Sequence, residues 1–192
     1  MQGCRGRVGQ VSFCLLLLIR NLLKEEGKML VAIMSDSHDN IWNVRKALQV
    51  IESHKAKVII HCGDLVAPFV LRELAEFDGR VHWVLGNNDG DPYMLTKVSL
   101  VELENMEPHG HMGKLNIEGA SVAFTHYEEM GYALAHTGEY DLVCCGHTHV
   151  HRLERINNTT LLNPGDVMGK DGPGRFCLFD AASREITLQK LT

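Results

Sequence analysis

Residues 29–38 read Met-Leu-Val-Ala-Ile-Met-Ser-Asp-Ser-His, and this stretch decides the architecture. Leu30, Val31, Ala32 and Ile33 form a short, uninterrupted apolar run of the kind that makes a buried strand, and it stops at Ser35-Asp36-Ser37-His38. A loop carrying an acid and an imidazole follows the strand directly. Asn40 is then placed to cap a helix from about Ile41 to Ser53, in which Ile41, Val44, Ala47, Leu48 and Ile51 recur at spacings of three and four on one face.

The same unit repeats downstream. Val58-Ile59-Ile60 is a second strand that runs into His61-Cys62-Gly63-Asp64, and a helix is expected from about Pro68 to Leu74. Val81 to Leu85 is a third strand, ending in Gly86-Asn87-Asn88-Asp89-Gly90, which is too rich in turn residues to continue a sheet. Beyond it, strands are expected at Lys114 to Ile117, Val122 to Thr125, Leu142 to Cys145, Leu153 to Ile156, Thr160 to Asn163, Phe176 to Phe179 and Ile186 to Lys190, with a short helix at Gly131 to Thr137. Helices concentrated early and hairpins late predict an α/β domain with two sheets packed face to face and helices outside.

Composition narrows the function. The chain has 192 residues, 45% of them hydrophobic, enough for one well-filled domain and too few for two. A net charge of −5 excludes a broad basic surface, so stable nucleic-acid binding is not expected and an anionic substrate needs a local positive centre. The six cysteines (Cys4, Cys14, Cys62, Cys144, Cys145 and Cys177) show no CxxC spacing and read as reduced thiols, which predicts a cytoplasmic location. Residues 1–28 form an N-terminal extension ahead of a single domain at 29–192. Its apolar run, Val11 to Ile19, is far shorter than the roughly 20 residues that span a bilayer. No small-residue cleavage site follows it, so a helix or an upstream start codon is the simpler reading. No membrane association is expected, and homo-oligomerisation is left open.

Five polar clusters share one position, the end of an apolar run: Asp36-x-His38, Gly63-Asp64, Gly86-Asn87, Thr125-His126 and Gly146-His147-Thr148-His149. In an α/β fold, loops beyond the carboxyl ends of parallel strands converge on one crevice, so groups more than a hundred residues apart can meet. Carboxylate, imidazole and amide oxygen together suit intermediate divalent ions, and the absence of a cysteine quartet argues against a structural zinc.

These residues resemble the calcineurin-like metallophosphoesterase superfamily, whose pattern D-x-H, G-D, G-N, H and G-H-x-H occurs here in order from Met29 onward. The compact size, Ser35-Asp36-Ser37-His38, His61-Cys62-Gly63-Asp64, Gly86-Asn87-Asn88-Asp89, Cys145-Gly146-His147-Thr148-His149 and Asn163-Pro164-Gly165 bring it close to the small YfcE-type phosphodiesterases, which are related in fold to Vps29. The resemblance implies a four-layer αββα fold and two divalent cations, manganese ahead of Ni, Co, Fe or Zn. It implies that Asp36, His38 and His149 hold one cation, that Asn87, His126 and His147 hold the other, and that Asp64 bridges them. It further implies hydrolysis of a small phosphodiester by in-line attack of a metal-bound hydroxide, with the ions about 3.5–4 Å apart. A phosphomonoesterase and a Vps29-like metal-binding scaffold are the alternatives.

The sequence departs from the wider superfamily at Asn88, where many members have a histidine. An amide donates a hydrogen bond but is no general acid near neutral pH. Asn88 and Asp89 are the catalytic candidates, with Asp89 expected to orient the loop. His61 and His151 border the motifs without a settled role, and Asp166 stands where the family more often has serine. His109 and His111 read as a solvated loop, His54, His82 and His136 as structural or surface residues, and Cys62, Cys144 and Cys145 as buried thiols rather than nucleophiles.

Overall fold

A computed structural model describes residues 29–192. The expected N-terminal extension, 1–28, lies outside the described residues. Among the described residues, two mixed sheets flanked by four helices make an α/β sandwich of four layers.

The first sheet begins with β1 (Leu30–Met34), β2 (Val58–His61) and β3 (Arg80–Trp83), parallel neighbours in that order. Between them run α1 (Ile41–Ser53) and α2 (Pro68–Leu74). Parallel strands need such crossovers, and both sheet faces are then covered, which is why β1 is apolar throughout. Ala32 and Met34 face the helices, whereas Val31 and Ile33 face the second sheet. The α1 helix matches its expected span, and its Asn40 side chain accepts from the Asn43 amide.

Two elements had not been read from the sequence. They are α3 (Pro92–Val101) and the edge strand β4 (Met106–Pro108), parallel to β3. The start signals of α3 are present, since Asp91 caps the Met94 amide and Pro92 opens the helix. Its apolar residues are not confined to one face: Leu95 and Val98 are buried while Leu100 and Val101 are exposed, so no clean period shows. β4 has three residues including Pro108, a proline that an edge strand tolerates.

The second sheet runs β5 (Met112–Ile117), β6 (Ala120–Thr125), β7 (Leu142–Cys144), β9 (Thr159–Asn163), β8 (Arg152–Ile156), with β6, β7 and β9 mutually parallel. Helix α4 (Glu128–Thr137) begins three residues before its expected start, with Glu128 and Glu129 in the first turn where the helix dipole favours acids. It covers the outer face through Ala135, Val143, Cys145 and Leu161. The last hairpin, β10 (Arg175–Asp180) and β11 (Ile186–Lys190), returns to the first sheet, β10 pairing antiparallel with β1.

The inter-sheet core holds Ile33, Ile60, Val122, Phe124, Leu142, Leu162 and Phe179. Ile60 is fully enclosed there, and Ile60→Val is expected to cost about 0.5–1.5 kcal/mol, read as a lower urea midpoint at constant m-value.

Candidate metal centre

The loops after β1, β2, β3, β6 and β7 meet at one end of the sandwich and bring together all seven residues expected as ligands. Donor atoms of Asp36, His38 and His149 lie within 4.8 Å of one another, as do those of Asp36, Asp64 and His126. Asn87 Oδ1 is 2.9 Å from His126 Nε2 and 2.8 Å from His147 Nδ1. The backbone is forced to achieve this. Asp36, His38, Asp64, His147 and His149 all have φ between 45° and 72°, the left-handed region that non-glycine residues rarely occupy.

Two close approaches depend on glycine. A Cβ at Gly86 would lie 2.1 Å from Asp64 Oδ1, and one at Gly146 would lie 1.9 Å from Ser35 Oγ and 2.6 Å from Asp36 Oδ2.

The imidazoles are oriented from behind. His126 Nδ1 lies 2.8 Å from the Cys62 carbonyl and must donate to it, so in the neutral ring Nε2 presents a lone pair. That lone pair faces Asn87 Oδ1 and, at 3.5 Å, Asp64 Oδ1. His149 Nδ1 is likewise 3.1 Å from Asp166 Oδ2, which turns Nε2 toward Asp36 Oδ1 at 3.5 Å. Asp36 Oδ1 and His38 Nε2 are buried with no hydrogen-bond partner among the described residues. Lone pairs converging on carboxylate oxygens in a buried site are unfavourable unless a cation lies between them, so this donor set fits divalent metal.

Electrostatics separates the two carboxylates. Burial pushes Asp36 above the usual range, outweighing the Ser35 hydrogen bond and the nearby His126 and His149. Burial also acts upward on Asp64, but hydrogen bonds from the Asn88 amide (2.8 Å) and side chain (2.7 Å), aided by His126 and His38, hold it below that range. Asn88 is thus a direct partner of Asp64. Asp89 is buried and does more than form a turn: Oδ1 accepts from the Leu65 and Val66 amides and Oδ2 from Gly86, each at 2.7 Å, tying the β2 and β3 loops together.

Several residues acquire roles that the sequence left undefined. Asp166 is buried behind His149, a role the sequence does not announce because its spacing from His149 carries no local pattern. Buried Asn163 donates to Gly146 O and Thr148 Oγ1 and braces the His147–His149 loop. His61 is buried, its pKa pushed down by burial to about 3, and it bonds the Ser37 hydroxyl rather than backbone. His109 departs from the expected solvated loop: half-buried, it stacks edge-on against Phe124, with Nε2 3.0 Å from His82 Nδ1. Burial pushes the Cys145 and Cys177 thiols up to about 12 and also raises Cys62 and Cys144 well above the usual thiol range, which removes all four as nucleophiles.

Because Asp166 sets the face that His149 presents, Asp166→Asn is expected to weaken metal binding about 10- to 100-fold with the fold retained, measured by competition with a chromogenic chelator.

Known proteins resemble this chain in sequence and in fold. Residues 29–184 match the calcineurin-like phosphoesterase superfamily domain. The phosphodiesterase MJ0936 of Methanocaldococcus jannaschii is 31% identical over 143 residues, which cover 73% of this chain and 86% of that protein. A solved archaeal phosphodiesterase superposes with a TM-score of 0.78 at 28% identity, over 85% of this chain and all of the other. More distant structures share the fold: Escherichia coli YfcE (TM-score 0.61, 17% identity, 85% of this chain and 100% of the other) and Cryptosporidium parvum Vps29 (0.60, 18%, 85% and 96%). Phosphoesterases of this kind imply divalent metal, and among the described residues no helix is long and apolar enough to cross a membrane. On its matched sequence and its fold, the chain belongs to the calcineurin-like phosphoesterase superfamily.

Proposed function

We propose that this protein is a dinuclear metal-dependent phosphodiesterase. The observation that carries the reading is the buried convergence of Asp36 Oδ1, His38 Nε2, the Nε2 atoms of His126 and His149, and the Asp64 carboxylate, with the imidazoles already oriented by Cys62 O and Asp166. Asp36, His38 and His149 would hold one cation, Asn87, His126 and His147 the other, with Asp64 between them. When bound, two divalent cations supply the positive charge that draws a phosphate to an acidic chain, lower the pKa of water and offset charge developing on the reacting oxygens.

The protein's own groups do the positioning. Asn88 holds Asp64 by two hydrogen bonds and keeps it ionised, and Asp89 locks the loop that carries Asn87 and Asn88. With an amide at position 88, no acid from this loop protonates the departing oxygen, so diesters and monoesters with good leaving groups are the favoured test substrates.

Protein stripped of metal is expected to regain hydrolysis of bis-p-nitrophenyl phosphate when Mn, Ni, Co or Zn is restored, faster than hydrolysis of p-nitrophenyl phosphate. Faster monoester turnover would reassign the enzyme as a phosphomonoesterase. Binding of two equivalents of metal with turnover of neither ester would favour the scaffold reading. That reading has one observation of its own: α3 exposes Tyr93, Met94, Leu100 and Val101, paired seven residues apart on one face, as a partner surface would.

A further inference from the structure

A cleft of about 730 Å³ opens directly beside the metal-facing residues, with His38 common to both. One wall is the start of α1, carrying Ile41 and Trp42; the others are Phe69 and the 168–170 segment. Trp42 is 68% exposed and Phe69 45%, so two aromatic faces stand in solvent at the mouth of one cavity. Burying them against a ligand recovers area that water now covers.

The cleft is built, not loose. Asn40 Nδ2 donates to Met168 O (2.9 Å), and Asn43 Nδ2 lies 3.0 Å from Val167 O and 3.1 Å from Met168 O, clamping the far wall to α1. The Lys170 amide donates to Asp166 Oδ2, the carboxylate oxygen that also orients His149. The wall of the cleft and the metal-facing imidazole therefore share one anchor. Lys170 and Asp39 bring opposite charges to the lining, so the cleft carries no net charge of its own beside Ile41, Trp42, Phe69 and Met168.

We propose that this cleft is a nucleobase subsite, taking the nucleoside substituent of a diester whose phosphate lies at the adjoining centre. It rests on the phosphoesterase reading above and narrows the substrate class to nucleoside phosphodiesters. A planar heterocycle is the occupant that uses exposed aromatic faces best, because stacking is available to every base and is tolerant of its identity. A saturated alkyl group would gain burial but no stacking.

Two esters with the same leaving group make the test: thymidine 5′-p-nitrophenyl phosphate and n-butyl p-nitrophenyl phosphate, assayed on the metal-loaded full chain. The thymidine ester is expected to have a KM about tenfold lower. In Trp42→Ala, and separately in Phe69→Ala, that preference should shrink several-fold through KM, with kcat for the thymidine ester moving far less. Equal KM for the two esters, or a preference that survives both variants, overturns the proposal.

Binding supplies an arm that does not depend on turnover. The protein has two tryptophans, and Trp83 is fully buried, so quenching of indole fluorescence by thymidine monophosphate reports on Trp42. Saturable quenching that Phe69→Ala weakens supports the subsite even if neither ester is hydrolysed, an outcome in which only the phosphodiesterase reading fails. Quenching that is linear in ligand overturns the subsite.

Discussion

Asp64→Asn is expected to reduce metal-dependent hydrolysis of bis-p-nitrophenyl phosphate by at least about 10³-fold, equivalent to roughly 4 kcal/mol of barrier. Asp64 is almost wholly buried, with one oxygen 3.5 Å from His126 Nε2 and the other 3.8 Å from His38 Nε2. It is the carboxylate placed to serve both halves of the site. An asparagine there removes the negative charge, and because each Asp64 oxygen accepts from an Asn88 donor, its amide NH₂ faces one of those donors in either rotamer and one of the two hydrogen bonds is lost. The fold should survive, because relieving charge in a buried acidic pocket removes a repulsion with Asp36. Bound metal, measured by elemental analysis after gel filtration, should fall below that of the parent, for which the proposed dinuclear centre predicts two equivalents. Activity within tenfold of the parent at full metal loading would exclude Asp64 as the shared ligand.

Gly86→Ala should damage the site severely although it alters no polar group. The added Cβ would lie 2.1 Å from Asp64 Oδ1, 2.5 Å from the Asp64 backbone nitrogen and 2.9 Å from Cγ, closer than real Cβ atoms approach anything. Neither side gives way easily. Asp89 ties the Gly86 amide to those of Leu65 and Val66, so the loop carrying Gly86 and the loop carrying Asp64 are braced against each other. The clash is expected to cost about 1–3 kcal/mol of stability. It should also move Asp64 by enough to lower kcat about 10²-fold, since reacting groups misplaced by about an ångström lose that much. Gly90→Ala is the matched control, because its Cβ would meet nothing closer than 3.6 Å; its stability should change by less than about 0.5 kcal/mol. If both variants behave alike, the tight contact at Gly86 does not control the site.

Both predictions depend on backbone geometry that hydrophobic pattern does not encode. What pattern does encode was read well. Apolar runs at Leu30, Val58 and Val81, each broken by a polar loop, identified the parallel strands, and the three-and-four spacing in Ile41–Ser53 identified α1. The ligand candidates were legible for the same reason, since each sits immediately after such a run. The helix Pro92–Val101 was missed because the chain leaves Leu100 and Val101 exposed, so its apolar residues mark no single face. β4 was missed because three residues are too few to show a period.

Asn88 and Asp166 mark the limit more sharply. The sequence shows an amide where a histidine is common, and only the fold shows that amide bonded to Asp64. Asp166 lies seventeen residues from His149 and reaches it because β9 returns beside β7 and carries the following loop to the same end of the sheet.

The sequence by itself determined the first two strand-loop-helix units and the third strand, because these rest on short-range periodicity, while the order of its motifs carried the family resemblance and with it the ligand candidates. The tertiary structure alone decided that β10 pairs with β1, that left-handed backbone at Asp36, His38, Asp64, His147 and His149 turns their side chains inward, and that Cys62 O and Asp166 choose which imidazole nitrogen faces the centre. Those outcomes depend on strand order and on contacts between distant segments. Such contacts form only when burying three separate apolar layers makes the loops converge.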